Sequence, residues 1–474
     1  MNRITLLSCC VAALLQGCGT LAPDFERPAA SVANDWPQGQ AYKPSTFSAQ
    51  STVAELGWRD FIADDNLRQL IELALANNRD LRVAIQNIDK ARAQYQVQRA
   101  DLAPSVKVSA GDTAQRTAAT LSGTGEPKIS RQYSVGLGFA SYELDFFGRV
   151  RDLKDAALQT YLGTEDARRN TEISLIAEVA NAYLTLAADQ ARLKLAQETY
   201  RSRSESLKLT QRSFDLGASS AVALNQARSS SESARADIAS YTTQVARDEN
   251  ALTLLVGTAL PRSLQVRDLE QSVVTTRELP AGLPSQVLQA RPDIMQAERS
   301  LRAAYANIGA ARAAFFPSIT LTASTGSASS SLDGLFKDGS GTWSFAPQLN
   351  LPIFDLGRRE ANLDIAKLNR DIAVAQYDKA VQTAFREVAD ALAQRGTIDE
   401  QLAAQAAVVA ASSESLKLTD ARQRAGIDSY LALLDAQRTL YSAQQSLITV
   451  RLARESNLIT LYKVLGGGLQ PGKS

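Results

Sequence analysis

The sequence predicts a mixed α and β membrane protein. It reads as two tandem copies of one unit, each giving a β-hairpin and long antiparallel coiled-coil helices. Three observations predict this class. The chain repeats itself at long range, each copy holds two alternating stretches around a small-residue loop, and each then enters a long proline-free tract interrupted near its middle by a glycine in a short turn-like stretch.

The repeat organises everything else. Glu205-Ser-Leu-Lys-Leu-Thr210 recurs as Glu414-Ser-Leu-Lys-Leu-Thr419, and at this offset of 209 Gly217 meets Gly426, Leu224 meets Leu433 and Gly257 meets Gly466. Upstream, Asp80 and Pro104-Ser105 meet Asp293 and Pro317-Ser318 at an offset of 213, and Asp145-Phe-Phe-Gly148-Arg149 resembles Asp355-Leu-Gly357-Arg358. A period near 210 far exceeds that of a solenoid, so the chain is a duplicated domain. Length alone suggests about three ordinary domains.

The first element is a processing segment. Asn2-Arg3 is basic, Ile4 to Leu15 is apolar but too short to span a bilayer as a helix, and Gly17-Cys18 closes it. This reads as a secretory signal peptide. Leu15-Gln16-Gly17-Cys18 also resembles the bacterial lipobox, which implies cleavage before Cys18 and lipidation of its thiol. In lipoproteins of that kind Gly19 favours sorting to the outer membrane. Several acyl chains at roughly 0.8 kcal/mol per buried methylene hold firmly. Residues 1–17 carry one base, Arg3, and no acid. The 51 basic and 50 acidic residues of the whole chain thus become 50 and 50 after cleavage.

Each copy then follows one order. A helical segment (Leu67 to Leu102; Gln286 to Phe316) ends at a proline, Pro104 or Pro317. Alternating stretches follow, Ser105–Ala110 with Gln132–Phe139 and Ser318–Ala323 with Thr342–Leu349. Between them lie loops rich in Gly, Ser and Thr, Ala118 to Gly125 and Ser324 to Gly341. No proline occurs from Lys128 to Leu260 or from Ile353 to Gln470. Each tract predicts two helices of about 40 to 65 residues, some 60–100 Å long, joined near the middle at Gly217 or Gly426. Helices of that length need a partner along an apolar stripe. Alanines at 177, 180, 187 and 191, and at 403, 407 and 411, suit both close packing and simple helix propensity.

Four tilted strands of about ten residues are long enough to cross a bilayer. A lipid-facing sheet must close, and four strands cannot close a barrel. Two, three or four copies of the chain would give 8, 12 or 16 strands. The alternative is a soluble two-hairpin sheet packed on helices.

Composition excludes several functions. The chain of 474 residues has no His, and its three Cys (Cys9, Cys10, Cys18) all lie in the first 18 residues. Imidazole-based catalysis and Cys/His metal sites are therefore excluded, no cofactor is expected, and the carboxylates show no pocket-like pairing. A net charge of +1 argues against nucleic acid as a partner. Gly136 and Gly138 sit in a strand pattern, not a dinucleotide loop.

Several motifs stand out: Cys18 with Pro23-Asp24-Phe25-Glu26-Arg27-Pro28; Gly57-Trp58-Arg59-Asp60-Phe61; Ala290-Arg291-Pro292-Asp293-Ile294; Asn307-Ile308-Gly309-Ala310-Ala311-Arg312; Phe316-Pro317-Ser318; Leu433-Leu434-Asp435-Ala436-Gln437-Arg438; and Leu461-Tyr462-Lys463-Val464-Leu465-Gly466-Gly467-Gly468. Together they resemble the outer-membrane factor (TolC-like) family, in its lipoprotein branch serving tripartite efflux systems of the resistance–nodulation–division type. The resemblance implies a homotrimer with a 12-strand outer-membrane barrel, continued by a periplasmic α-helical tunnel. It implies a periplasmic adaptor and an inner-membrane transporter as partners, and passive conduction with no enzyme activity. Domains expected on this basis are a signal peptide 1–17, a lipid-anchored segment 18–56, repeats 57–265 and 280–468, and a flexible tail 469–474.

The candidate constriction follows Gly426. Ile427, Leu431 and Asp435 are spaced by four, and Arg438 shares their helix face. In related channels the positions matching Leu431, Asp435 and Arg438 close the tunnel; a threefold apolar ring gates by dewetting and a charged ring filters ions. The first copy carries Ala218, Val222, Gln226 and Ser229 there, so the Asp–Arg pair belongs to one copy only. Asp428 reads as a tip residue, a turn residue or an N-cap. Rival functions are a type I protein secretion duct and a structural lipoprotein tethering envelope layers. Antibiotics, solvents, dyes and metal ions all remain open as substrates, the last disfavoured by the lack of His or a Met cluster.

Overall fold

A computed structural model describes residues 19–29, 31–42, 56–261, 266, 268–275 and 291–467. Cys18, the signal peptide and the tail 469–474 lie outside the described residues. The elements in order are α1 (Trp58–Phe61), α2 (Asp65–Asn77), α3 (Arg79–Ala100), β1 (Lys107–Thr117), β2 (Lys128–Leu144), α4 (Arg149–Asp215), α5 (Ala221–Val256), α6 (Pro292–Ala313), β3 (Ser318–Ser329), β4 (Gly341–Asn350), α7 (Arg358–Arg424) and α8 (Tyr430–Val464). The chain forms two compact units. The first takes the described part of Met1–Pro28 with Asn87–Glu165 and Gln296–Tyr377; the second takes the described parts of Ala29–Gln86, Asp166–Met295 and Asp378–Ser474.

The first unit holds one antiparallel sheet in the order β1-β2-β3-β4. Its register sorts side chains by chemistry. Val108 faces Leu137, Leu137 faces Thr325 and Thr325 faces Trp343, while one residue along Gly136 faces Gly326 and Gly326 faces Thr342. Because alternate residues point to opposite faces, Val108, Val135, Leu137, Phe139, Ile319, Leu321, Trp343, Phe345 and Leu349 share one face. Ser109, Thr113, Gln132, Ser134, Thr320, Ser324, Ser344 and Gln348 share the other. A bulge between Phe139 and Tyr142, with Ser141 at φ 55°, resets the register of β2. Among the described residues β1 and β4 each pair on one side only.

The strands run further than the sequence suggests. β2 has 17 residues, and β3 continues through Ser324–Ser329, which the Ser/Gly composition reads as loop. These residues form strand because two neighbours satisfy them: Ser327 pairs with Val135 on one side and with Gly341 on the other. Gly138 fits a close approach, since a Cβ there would stand 2.5 Å from the carbonyl oxygen of Ala323.

The second unit packs around Phe61, Leu67, Leu70, Ile71, Tyr183, Val388, Leu458 and Tyr462. Phe61 and Tyr462 stack with centroids 4.2 Å apart, and Tyr462 Oη donates to the Leu56 carbonyl at 2.8 Å. The inter-repeat segment is tied on both sides. Ala63 N donates to Val273 O at 2.7 Å, and Ser272 Oγ donates to the buried Glu455 at 2.8 Å. The expected single helix from Leu67 to Leu102 is instead α2 and α3, broken at Asn78. Its side chain caps the second helix, accepting from Leu81 N at 2.9 Å, and donates to Leu255 O at 2.9 Å. The long helices have 67, 36, 67 and 35 residues, so the turns fall about two-thirds along each tract rather than near its middle. Each pair is antiparallel: Ser204 meets Ser231 at 3.2 Å across α4 and α5, and Gln405 reaches Ala443 O at 3.1 Å across α7 and α8.

Candidate functional site

The two turns share one construction. Gly217 and Gly426 both adopt φ 73°, the left-handed conformation that ends a helix without a Cβ clash. Ala218 N closes onto Ser213 O at 2.8 Å and Ile427 N onto Arg422 O at 2.9 Å. Ser220 then caps α5, accepting from Ala223 N at 3.2 Å, as Ser429 caps α8, accepting from Ala432 N at 3.3 Å. The second turn alone carries an ion pair: Arg422 Nε and Nη2 donate to Asp428 at 2.7 and 2.9 Å. This pairing holds the Asp428 carboxyl below its ordinary range and Arg422 above its own. Asp428 is thus a turn clasp, and the N-cap role belongs to Ser429.

The expected constriction residues separate into two groups. Ile427 lies in the turn and not on the helix, because the Ser429 cap starts α8 only at Tyr430. Leu431, Asp435 and Arg438 lie on one exposed face of α8, with Leu431 57% exposed, while Leu433 and Leu434 between them in sequence are buried. Asp435 and Arg438 do not pair with each other; among the described residues neither has a hydrogen-bond or salt-bridge partner within the chain. Both are therefore free for groups outside it.

Between α4, α5 and α8 runs a partly buried polar column that sequence reasoning missed. Arg203 of α4 lies 5.3 Å over the Tyr441 ring, donates to Ser230 O at 3.1 Å, and has its pKa lowered, chiefly by burial. Tyr441 of α8 donates to Asp237 of α5 at 3.0 Å; burial first, and then this carboxylate, raises the phenol. Further along, Arg192 joins Asp189 at 2.6 Å to Thr449 at 2.9 Å. Gln244 donates to Asp248 at 2.9 Å, and burial first, then Asp189, pushes the Asp248 carboxyl up to about 6.

In the first unit, residues 19–28 lie antiparallel along α6. Arg312 donates to Leu21 O at 3.1 Å, Phe25 meets Tyr305 edge-on at 5.5 Å, Arg302 covers the Phe25 ring at 4.1 Å, and Arg27 pairs with Glu298 at 2.8 Å. Thr20 donates to Asp152, and Gly309 leaves no room for a Cβ, which would stand 2.6 Å from Ala22 N. This strap ends where Gly19 O approaches within 3.1 Å of the Cβ position of Gly148, beside the start of α4. Among the described residues no helix is long and apolar enough to cross a membrane, and no acidic, Cys or His cluster could hold a metal.

Comparison with known proteins gives a consistent picture. A family model described as outer membrane efflux protein matches residues 70–258 and 283–467. The toluene efflux pump outer membrane protein TtgC of Pseudomonas putida is 53% identical over 464 residues, 98% of this chain and 96% of that one. The antibiotic efflux pump outer membrane protein ArpC, also of Pseudomonas putida, is likewise 53% identical over 464 residues, with the same coverage of both chains. Among solved structures, the open state of the MtrE outer membrane channel of Neisseria gonorrhoeae superposes with a TM-score of 0.86 at 40% identity, covering 96% of this chain and 100% of that one.

Proposed function

Because the chain belongs to the outer membrane efflux protein family, we propose that it is the outer-membrane channel of a tripartite efflux pump, passively conducting toxic small molecules to the exterior. The observation that carries this reading is the sheet. It has one apolar face, one polar face and two edges with free pairing capacity, which is the wall of a barrel that only further copies can complete. Three copies give 12 strands, with the polar face lining the lumen, and the helical pairs of the same copies form a periplasmic tunnel. The relatives named for toluene and antibiotic efflux favour apolar solvents and drugs as cargo. A periplasmic adaptor and an inner-membrane transporter supply that cargo, and the channel performs no catalysis.

In this reading residues 1–17 are a removed signal peptide and Cys18 carries the lipid anchor. Residues 18–56 are the anchored segment, 57–265 and 280–468 the two repeats, and 469–474 a tail. The closeness of Gly19 to the β2–α4 junction supports an anchor held at the barrel's periplasmic rim. Leu431, Asp435 and Arg438 form the constriction, with Ile427 adding an apolar turn residue below them. The exposure and lack of in-chain partners at Asp435 and Arg438 support partners supplied across the threefold axis.

A planar-bilayer recording tests this. The double variant Asp435→Ala/Arg438→Ala is expected to conduct more than the parent protein. Unchanged conductance would remove the constriction assignment, and absence of any conductance in the parent would remove the channel reading.

A further inference from the structure

On the apolar face of the sheet, side chains change character along the strands. From the row of Leu144, Ile319 and Leu349 to the row of Val135 and Ala110 the face is apolar or small apart from Tyr142, which stands in the second row. The next row pairs Tyr133 with Asp112 and Ser329, the following one Arg131 with Ala114, and the last Ile129 with Arg116. Ten residues separate Ile319 from Ser329. At about 3.4 Å per residue and a tilt near 40°, that is roughly 25 Å of height, the thickness of an outer-membrane apolar band. Tyr133 therefore stands at the far border of the band, where aromatic girdles form. By the same rise and tilt, Arg131 and Arg116 stand about 5 and 10 Å beyond it.

The two arginines share one face. Arg131 lies opposite Ala114 and Arg116 opposite Ile129, so they are diagonal neighbours on the outward side of one hairpin. Both are exposed, and among the described residues neither has an acidic partner. Asp112, the acid on this face, stands one row nearer the band than Arg131. Lys128 pairs with Thr117 and so belongs to the opposite, lumenal face. The hairpin loop 118–127 closes this end of the strands, away from the ends that lead into α3 and α4.

We propose that Arg116 and Arg131 form a docking site for the phosphorylated headgroup of an outer-leaflet glycolipid. The inference rests on the barrel reading above, which puts this end of the sheet in the outer leaflet. Two guanidinium groups side by side match phosphate in both charge and geometry, because each presents a planar fork of donors. Their place just beyond an apolar band lets one lipid satisfy both features at once, its acyl chains on Val108, Val135 and Leu137 and its phosphate on the arginines. A bridge between lipids and hairpin tip would tether the barrel to the outer leaflet.

The test uses the full-length protein in detergent micelles, with bound lipid counted by native mass spectrometry. Bisphosphorylated lipid A is titrated against the same lipid stripped of its phosphates and against inorganic phosphate. The parent protein is expected to retain bisphosphorylated lipid A at least tenfold better than the stripped lipid. The variant Arg116→Gln/Arg131→Gln should lose that preference, Lys128→Gln should keep it within twofold, and millimolar inorganic phosphate should not displace the lipid. Equal retention of both lipids by the parent protein would overturn the arginine site while leaving the barrel intact. Displacement by inorganic phosphate would show an anion site that does not read lipid, which also overturns it. Failure to retain either lipid would overturn the barrel reading and this inference with it.

Discussion

Asp248 offers a sharp perturbation. It is 9% exposed, lies beside the buried Asp189 of the neighbouring helix, and receives Gln244 at 2.9 Å on one oxygen. Its other oxygen has no hydrogen-bond partner among the described residues. Burial is the first cause of the raised pKa and the nearby Asp189 carboxylate the next, so above pH 6 Asp248 ionises in a poorly solvated place beside a like charge. The folded pKa of about 6 lies above the ordinary 3.8, so ionisation destabilises the fold. The cost is fully present above pH 6, falls as pH drops through 6, and is gone below 3.8. A gap of roughly two units bounds this cost at ~3 kcal/mol, and sharing of the titration with Asp189 brings it lower. Asp248→Asn removes the charge and keeps a group able to donate to Asp189 and accept from Gln244. At an unfolding entropy of about 2.1 cal/mol/K per residue, 474 residues give ~1 kcal/mol/K, so the variant should melt higher at pH 8, by at most about 3 °C. At pH 4 the two proteins should melt together. Scanning Tm of both from pH 4 to 8 in one detergent checks this, and parallel pH profiles would refute the assignment of a raised pKa to Asp248.

Further outcomes follow from the packing. Phe61→Ala deletes a fully buried ring stacked on Tyr462 and should cost about 3–5 kcal/mol by thermal unfolding, whereas Phe336→Ala, 80% exposed, should cost less than about 0.5. Gly217→Ala and Gly426→Ala should each lose about 1 kcal/mol, because both glycines hold φ 73°; Tm values that differ between the two variants would argue against equivalent turns. Gly309→Ala pushes a methyl against Ala22 and should speed hydrogen exchange of residues 19–28 at least tenfold while leaving exchange around Phe61 unchanged.

How much of this could be read beforehand depended on how local each cause is. The glycine turns were legible because a glycine interrupting a long proline-free helical tract is a local feature, whereas the cap fell to Ser429 and not to Asp428. The sheet's two faces were legible because alternation is local too. The extent of β3 was not, since Ser324–Ser329 has a loop's composition and becomes strand only between two partners. Asn78 looks like any helix residue until its side chain finds Leu81 N and the distant Leu255 O. Ile427 shares the spacing of Leu431 and Asp435 but not their helix, because spacing cannot reveal where a cap begins. The polar column was invisible, because Asp189 meets Asp248 and Arg192 meets Thr449 only after α4, α5 and α8 have assembled.

The contact between Tyr462 and the start of the first copy sets an order on biogenesis. Phe61 stacks on a ring supplied by nearly the last helical turn of the chain, and Leu56 O waits for the same residue's hydroxyl. Ser272, between the copies, likewise waits for Glu455. A ribosome or translocon that has released only the first copy has therefore released a polypeptide whose second unit lacks its central ring pair. Without α8 the second unit cannot complete its core, so its folding waits for that helix.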